Sequence, residues 1–256
     1  CMSNVSGVIK SIQDIMRKDV GVDGDAQRIS QLVWMFFLKI FDDREAELEL
    51  VEDDYKSPLP EHLRWRNWAK NPEGITGEAL SDFVNNQLFP TLKEKLPTHG
   101  PAGKRAQVIR SVFEDAYNYM KSGTLMRQVI NKICEINFNN TSDRHTFGSI
   151  YEQILRDLQS AGNAGEFYTP RAVTRFIVNR VDPKLDEIVL DPACRTGGFL
   201  TCAIDHKREH YVKTKEDEET LVNSIRGYEK KALPHMLVVT NMILHGIDTP
   251  TNIKHD

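Results

Sequence analysis

The chain has 256 residues, of which 40% are apolar and 27% charged, and its formal net charge is −4. That composition belongs to a globular chain able to bury a core, and the mild acidity excludes a protein held to nucleic acid by bulk positive charge. Any basic surface must be local.

In chain order, the first half reads as helical. Ile29, Leu32, Val33, Phe36, Phe37, Ile40 and Phe41 recur at helical spacing. The run from Leu32 to Leu38, extended by Ile40 and Phe41, is the most apolar in the chain. It falls far short of the ~20 residues needed to cross a bilayer, so a buried helix is predicted and no membrane span. The acidic stretch Asp42 to Asp54 is expected to form that helix's solvated end. Residues 55–75 carry Pro58, Pro60, Pro72 and Gly74 and read as an irregular connection. Helical patterns follow over roughly 76–96, 105–121, 124–137 and 146–160. Pro97, Gly100, Pro101 and Gly103 break the first from the second.

Near residue 161 the character changes. The segment SAGNAGEFYTPR is small, polar and turn-rich, and a helix is predicted to start at Pro170 or Arg171. Ile188, Val189 and Leu190 make a short strand with Asp191 at its end. Gly197 and Gly198 turn the chain into a helix through about Val212. KTKEDEET, residues 213–220, reads as a charged loop. Ile225 to Tyr228 is a second strand ending at Glu229, and Leu233 to Leu244 a further helix. The last residues, TPTNIKHD, read as a polar tail. Strand–helix–strand–helix is the opening of a doubly wound α/β domain. Two strands do not make a finished sheet, so the α/β part reads as incomplete. The predicted organisation is a helical domain over 1–150 and the first part of an α/β domain over 151–256.

The four cysteines, Cys1, Cys134, Cys194 and Cys202, form no CxxC pair, and no charged-then-apolar leader opens the chain. Reduced thiols in a cytoplasm are the expectation.

The residues that carry chemistry sit in DPACRTGGFL, Asp191 to Leu200. After a strand, small residues let backbone approach a ligand, and the next helix offers free N–H groups to a carboxylate or phosphate. Such a turn also occurs with no ligand. Glu229, at the next strand end, can accept from both hydroxyls of a ribose. As a single acid beside Lys230 and Lys231, it could equally be a solvated side chain. His206, Glu209 and His210 fit the H-x-x-E-H pattern of a zinc peptidase helix. No downstream third ligand stands out, so a charged helix face is preferred and no metal is predicted. Lys104, Arg105 and Arg110, or Arg171, Arg175 and Arg180, could face DNA, but ordinary solvated helix faces are the preferred reading.

Taken in series, these segments resemble a known family. DPACRTGGFL is similar to the cofactor motif of the modification (M) subunit of type I restriction-modification systems, which methylate adenine N6 in DNA. GEFYTPR, Gly165 to Arg171, resembles the segment those enzymes place before that motif. IRGYEKKALPHMLVVTNMILHGID is similar to their second strand and following helix, and QLVWMFFLKIFDDRE to their N-terminal helical domain. The likeness spans nearly the whole chain in the right order.

The resemblance implies an N-terminal helical domain followed by a Rossmann-like methyltransferase domain, with S-adenosyl-L-methionine as cofactor. By position it assigns the cofactor to Glu166, Phe167, Tyr168, Thr169, Pro170, Arg171, Asp191, Thr196, Gly197, Gly198 and Glu229. The partners it implies are DNA, a specificity (S) subunit, a second M subunit and a restriction (R) subunit. The family's catalytic Asn-Pro-Pro-aromatic motif is absent from these 256 residues, so no catalytic residue is assigned and the chain alone is expected to be inactive. A second departure is Arg195, where the family usually has glycine. A positive φ there would strain an arginine by about 1 kcal/mol, and its side chain could occupy the pocket and impair the cofactor loop, swing out, or pair with the cofactor carboxylate. A non-catalytic assembly or DNA-clamping role is the rival expectation.

Overall fold

The computed structural model describes residues 5–140, 146–152 and 169–256. The chain divides into two compact units, Cys1–Gly162 and Asn163–Asp256.

The first unit is helical. Helix α1 (Val5–Met16) buries Val5, Val8, Ile9, Ile12 and Met16 along one stripe. Helix α2 (Asp25–Val51) is its spine. From Leu32 to Phe41 every residue is buried, nearly the state of a helix apolar all round; the polar exception is Lys39, whose ammonium donates to Asp43 Oδ1 at 2.6 Å. Phe37 packs on Phe41 and Phe113, and Phe36 on Phe138 and Phe147.

The acidic end of α2 differs from the expected solvated stretch. The helix runs on to Val51, and Asp42 and Glu45 are buried. Arg66 Nε donates to Asp42 Oδ1 at 2.8 Å, and the Tyr55 hydroxyl donates to Glu45 Oε1 at 2.7 Å. Burial pushes both carboxyls above their usual range, and these donors oppose it. Basic and hydroxyl partners from the following connection make that burial tolerable.

The connection itself contains a 3₁₀ turn at Glu61–Leu63 and a short helix α3 (Trp65–Trp68). Helix α4 (Gly77–Asp82) continues into π-helical stretches Phe83–Leu88 and Thr91–Lys95. Helix α5 (Gly103–Phe113) is shorter than the predicted 105–121. Beyond it the chain leaves the helix until the Ser122 hydroxyl accepts from Leu125 N–H, 3.2 Å, and caps α6 (Gly123–Ile133). The predicted 146–160 helix is seen over 146–152, and its remainder lies outside the described residues.

The second unit is α/β. It contains α7 (Arg171–Val181), β1 (Val189–Asp191), α8 (Gly198–His210), α9 (Lys215–Ser224), β2 (Ile225–Glu229), α10 (Ala232–Leu244) and β3 (Ile253–His255). The three strands are parallel in the order β1-β2-β3. Helices α8 and α10 pack on one face of this sheet. The other face leaves Leu190 54% and Tyr228 41% exposed.

Two expectations are corrected here. The charged loop at 213–220 is mostly α9: Thr214 Oγ1 accepts from Asp217 N–H while Asp217 accepts from Thr214 N–H, a reciprocal capping box. The polar tail contains β3, in which Ile253 is buried and Lys254 exposed. A three-residue strand with one buried apolar side chain has no period to read.

Lys207, fully buried on α8, binds the second unit together. Its ammonium donates to Ser224 Oγ at 2.8 Å and to the carbonyls of Leu185 and Glu187. It thereby ties the loop before β1 and the end of α9 to α8.

Candidate functional site

The parallel register sets Asp191 opposite Gly227 and Glu229 opposite His255, so all three strands end along one edge. The turn from β1 to α8 is built at that edge. Asp191 Oδ1 accepts from Ala193 N–H at 3.1 Å and starts it. Cys194 N–H donates to the Tyr228 carbonyl at 2.9 Å, and Gly197 N–H to the Cys194 carbonyl at 2.7 Å. Arg195 has φ +50° and Gly197 φ +86°. Glycine is required at Gly197, because a Cβ there would lie 2.7 Å from Val238 Cγ2. Glycine is also required at Gly227, where a Cβ would lie 2.9 Å from both Cys194 Sγ and Leu200 Cδ1. The turn can sit on β2 only because that strand has no side chain there.

The Glu229 carboxylate lies under the turn, 7% exposed. Its Oε2 accepts from Arg195 N–H at 2.8 Å and its Oε1 from Lys231 N–H at 2.8 Å. Helix α8 begins at Gly197 with no side-chain cap. Among the described residues no side chain is seen to cap the amide hydrogens of its first turn, which suit an anion. Asn241 Nδ2 from α10 donates to the Thr196 carbonyl at 3.3 Å and holds the turn's far side.

Of the residues expected to form the site, Asp191, Thr196, Gly197, Gly198 and Glu229 surround this one turn. Arg171 joins them from α7: its Nη1 donates to the Gly198 carbonyl at 2.5 Å and to Thr201 Oγ1 at 2.7 Å. Thr169 and Pro170 are exposed at the start of α7, where the Pro170 carbonyl accepts from Thr174 N–H at 3.1 Å. Glu166, Phe167 and Tyr168 lie outside the described residues. Three neighbours of the turn escaped the sequence reading. Gly227 and Asn241 carry no local signal, since their roles are contacts across the fold. Asp256, whose N–H donates to the Glu229 carbonyl at 3.3 Å, is brought in by β3.

Burial pushes the Cys194 thiol up to about 12, and the charges of Asp191 and Glu229 add to it. Thiolate is the reactive form. Cys194 is therefore expected to resist iodoacetamide at pH 8 in the folded chain and to react once the chain is unfolded. Labelling of Cys194 at the denatured rate in native buffer would contradict this packing of the turn.

In the H-x-x-E-H helix face, His206 is engaged elsewhere. His206 Nε2 lies 2.8 Å from Asp182 Oδ1 and its Nδ1 3.2 Å from Asn179 Oδ1. Among the described residues no three His, Cys, Asp or Glu side chains are placed to share a metal ion. Of the basic residues, Arg105 stacks on Phe41 at 4.7 Å and on Tyr55 at 5.5 Å, and Arg180 on Phe176 at 5.5 Å. No helix among the described residues is long and apolar enough to cross a membrane.

Comparison with known proteins gives the same picture for both units. Residues 5–133 match the HsdM N-terminal domain family, and residues 142–256 the N-6 DNA Methylase family. Over 253 residues the chain is 64% identical to the type I restriction enzyme EcoEI methylase subunit of Escherichia coli, covering 99% of this chain and 51% of that protein. The crystal structure of a modification subunit of a putative type I restriction enzyme from Vibrio vulnificus YJ016 is similar at 42% identity and a TM-score of 0.83, covering 96% of this chain and 54% of that one. A structure described under the assembly and conformational transition of the type I R-M system is similar at 34% identity and a TM-score of 0.83, covering 100% of this chain and 51% of that one. The chain thus spans about half the length of these relatives. With an HsdM-type helical unit, an N-6 DNA methylase unit and this likeness along nearly its whole length, the chain belongs to the family of methylase (M) subunits of type I restriction-modification systems.

Proposed function

We propose that this chain is the cofactor-holding share of a DNA methyltransferase that uses S-adenosyl-L-methionine to methylate adenine N6. The observation that carries the reading is the start of α8 after Gly197, where no side-chain cap is seen among the described residues, set beside the buried acid Glu229 at the neighbouring strand end. The donor set fits the cofactor. The first-turn amides of α8 suit a methionine carboxylate, and the Glu229 carboxylate keeps lone pairs for ribose hydroxyls. Asp191, Thr196, Gly197 and Gly198 shape the turn, Arg171 fixes α7 against it, and Glu166, Phe167, Tyr168, Thr169 and Pro170 complete the site. When bound, the cofactor supplies an electrophilic methyl group on sulfur. The chain's own residues bind and orient; no group for accepting the adenine's protons is assigned among them. The target base must leave the duplex for its N6 to be reached.

The proposed domains are 1–150 for the helical part and 151–256 for the cofactor-binding part. DNA, a specificity subunit and a second M subunit are the proposed partners, with a restriction subunit completing the nuclease. The cytoplasm is the proposed site of action. The name of the relative at 64% identity, a type I restriction enzyme methylase subunit, supports these assignments.

Titration calorimetry of S-adenosyl-L-methionine into this chain tests the reading, beside Arg195→Gly. The expected result is micromolar binding by both, about 8 kcal/mol. Binding by the glycine variant alone would favour an assembly role for the natural sequence, with its loop impaired by Arg195. Silence from both folded proteins would sink the cofactor assignment for this chain.

A further inference from the structure

Glu229 does more in this fold than end a strand. The turn after β1 and the entry to α10 are separate segments, and the only side chain among the described residues seen to bridge their backbones is Glu229. Its two oxygens take one N–H from each, Arg195 and Lys231, both at 2.8 Å. The Cys194 N–H bonds to the carbonyl of Tyr228, the residue before Glu229. The turn is therefore tied to the end of β2 at two successive residues. Hydrogen bonds to an ionised acceptor are shorter and stronger than neutral ones, and the carboxylate is almost wholly buried where water competes little. Each oxygen retains a second lone pair.

We infer that Glu229 is a positioning residue that braces the glycine turn in its ligand-ready shape before any cofactor arrives, through Arg195 N–H, while anchored by Lys231 N–H. This inference rests on the cofactor reading only for its functional consequence. The carboxylate then couples the two halves of the site: it meets the adenosine half directly and sets the turn that meets the amino-acid half. A residue that only received ribose would leave the turn indifferent to its removal.

Glu229→Gln is the informative change. An amide cannot accept at both ends, so one of the two N–H groups faces an NH₂. Amide exchange by NMR on the ligand-free chain is expected to be about tenfold faster at Arg195, Lys231 or both, with the core amides of α8 unchanged. In titrations, S-adenosylhomocysteine is expected to lose at least about tenfold more affinity than 5′-methylthioadenosine, which keeps the ribose but lacks the amino-acid end. Unchanged exchange at both amides in a folded variant would overturn the brace. Equal loss for the two ligands, with unchanged exchange, would reduce Glu229 to a ribose acceptor. Should neither ligand bind the natural chain, the cofactor reading fails and the exchange rates alone decide the brace. If Glu229→Gln does not fold, Lys231→Pro serves instead, since φ is −83° at that position. It deletes one anchor, and Arg195 exchange is then expected to rise several-fold; no change there would overturn the inference.

Discussion

Arg127→Met is expected to destabilise the N-terminal unit by about 3–5 kcal/mol, since each buried carbonyl left without its donor costs about 1–3 kcal/mol. Arg127 is 4% exposed, and no carboxylate among the described residues is paired with it. Its Nε donates to the Ile75 carbonyl at 2.9 Å. Nη1 donates to those of Ala69 at 2.9 Å and Asn71 at 3.2 Å, and Nη2 to that of Trp68 at 3.0 Å. Burial lowers the guanidinium's pKa from its ordinary value, and backbone carbonyl dipoles are its main acceptors. Those carbonyls belong to the proline-containing connection between α3 and α4, which has little other backbone pairing. Methionine keeps the apolar stem and strands the carbonyls. Lysine keeps one charged donor centre and is expected to fall between methionine and arginine. Urea unfolding midpoints should therefore rank Met below Lys below Arg. A loss under about 1 kcal/mol for Met would mean that water replaces the guanidinium and that the side chain is not the organiser of this connection.

Gly197→Ala is expected to cost the second unit about 2–5 kcal/mol and to weaken cofactor binding with it. Two effects add. A φ of +86° is strained for any residue with a Cβ, by about 1–2 kcal/mol. The new Cβ would also lie 2.7 Å from Val238 Cγ2 and 3.2 Å from Met242 Cε on α10, an overpacking worth about 1–3 kcal/mol. The two parts separate in a double-mutant cycle. Val238→Ala in the Gly197→Ala background should relieve the steric part and leave the backbone strain. A Gly197→Ala variant as stable as the natural chain would show that the turn has freedom the structure does not display.

How much of this was legible in the sequence differs from element to element. The spine helix was legible, because Leu32 to Leu38, extended by Ile40 and Phe41, is apolar on every side and can only be buried. Its acidic continuation was not. Asp42 and Glu45 look like surface residues until the proline-containing connection folds back and brings Arg64, Arg66 and Tyr55 against them. The helix expected over 105–121 stops at Phe113 although its pattern continues. In the folded chain the carboxylate of buried Asp19 takes the N–H groups of Lys121 and Ser122, at 3.0 and 2.9 Å, and holds that stretch extended. Asp19 lies more than a hundred positions away, so no local pattern announces the contact.

The sequence by itself determined the two kinds of unit, the turn after β1, the helix it starts and the acid at the next strand end. Each of these rests on local chemistry: apolar periodicity, glycines where a chain must bend tightly, and a charge after a strand. Only the tertiary structure decided that Glu229 grips the backbone of Arg195, that Gly227 clears space for Cys194, and that Ile253, Lys254 and His255 form β3. Those are contacts between segments distant in sequence, set by strand register and packing, and they have no period or motif to read.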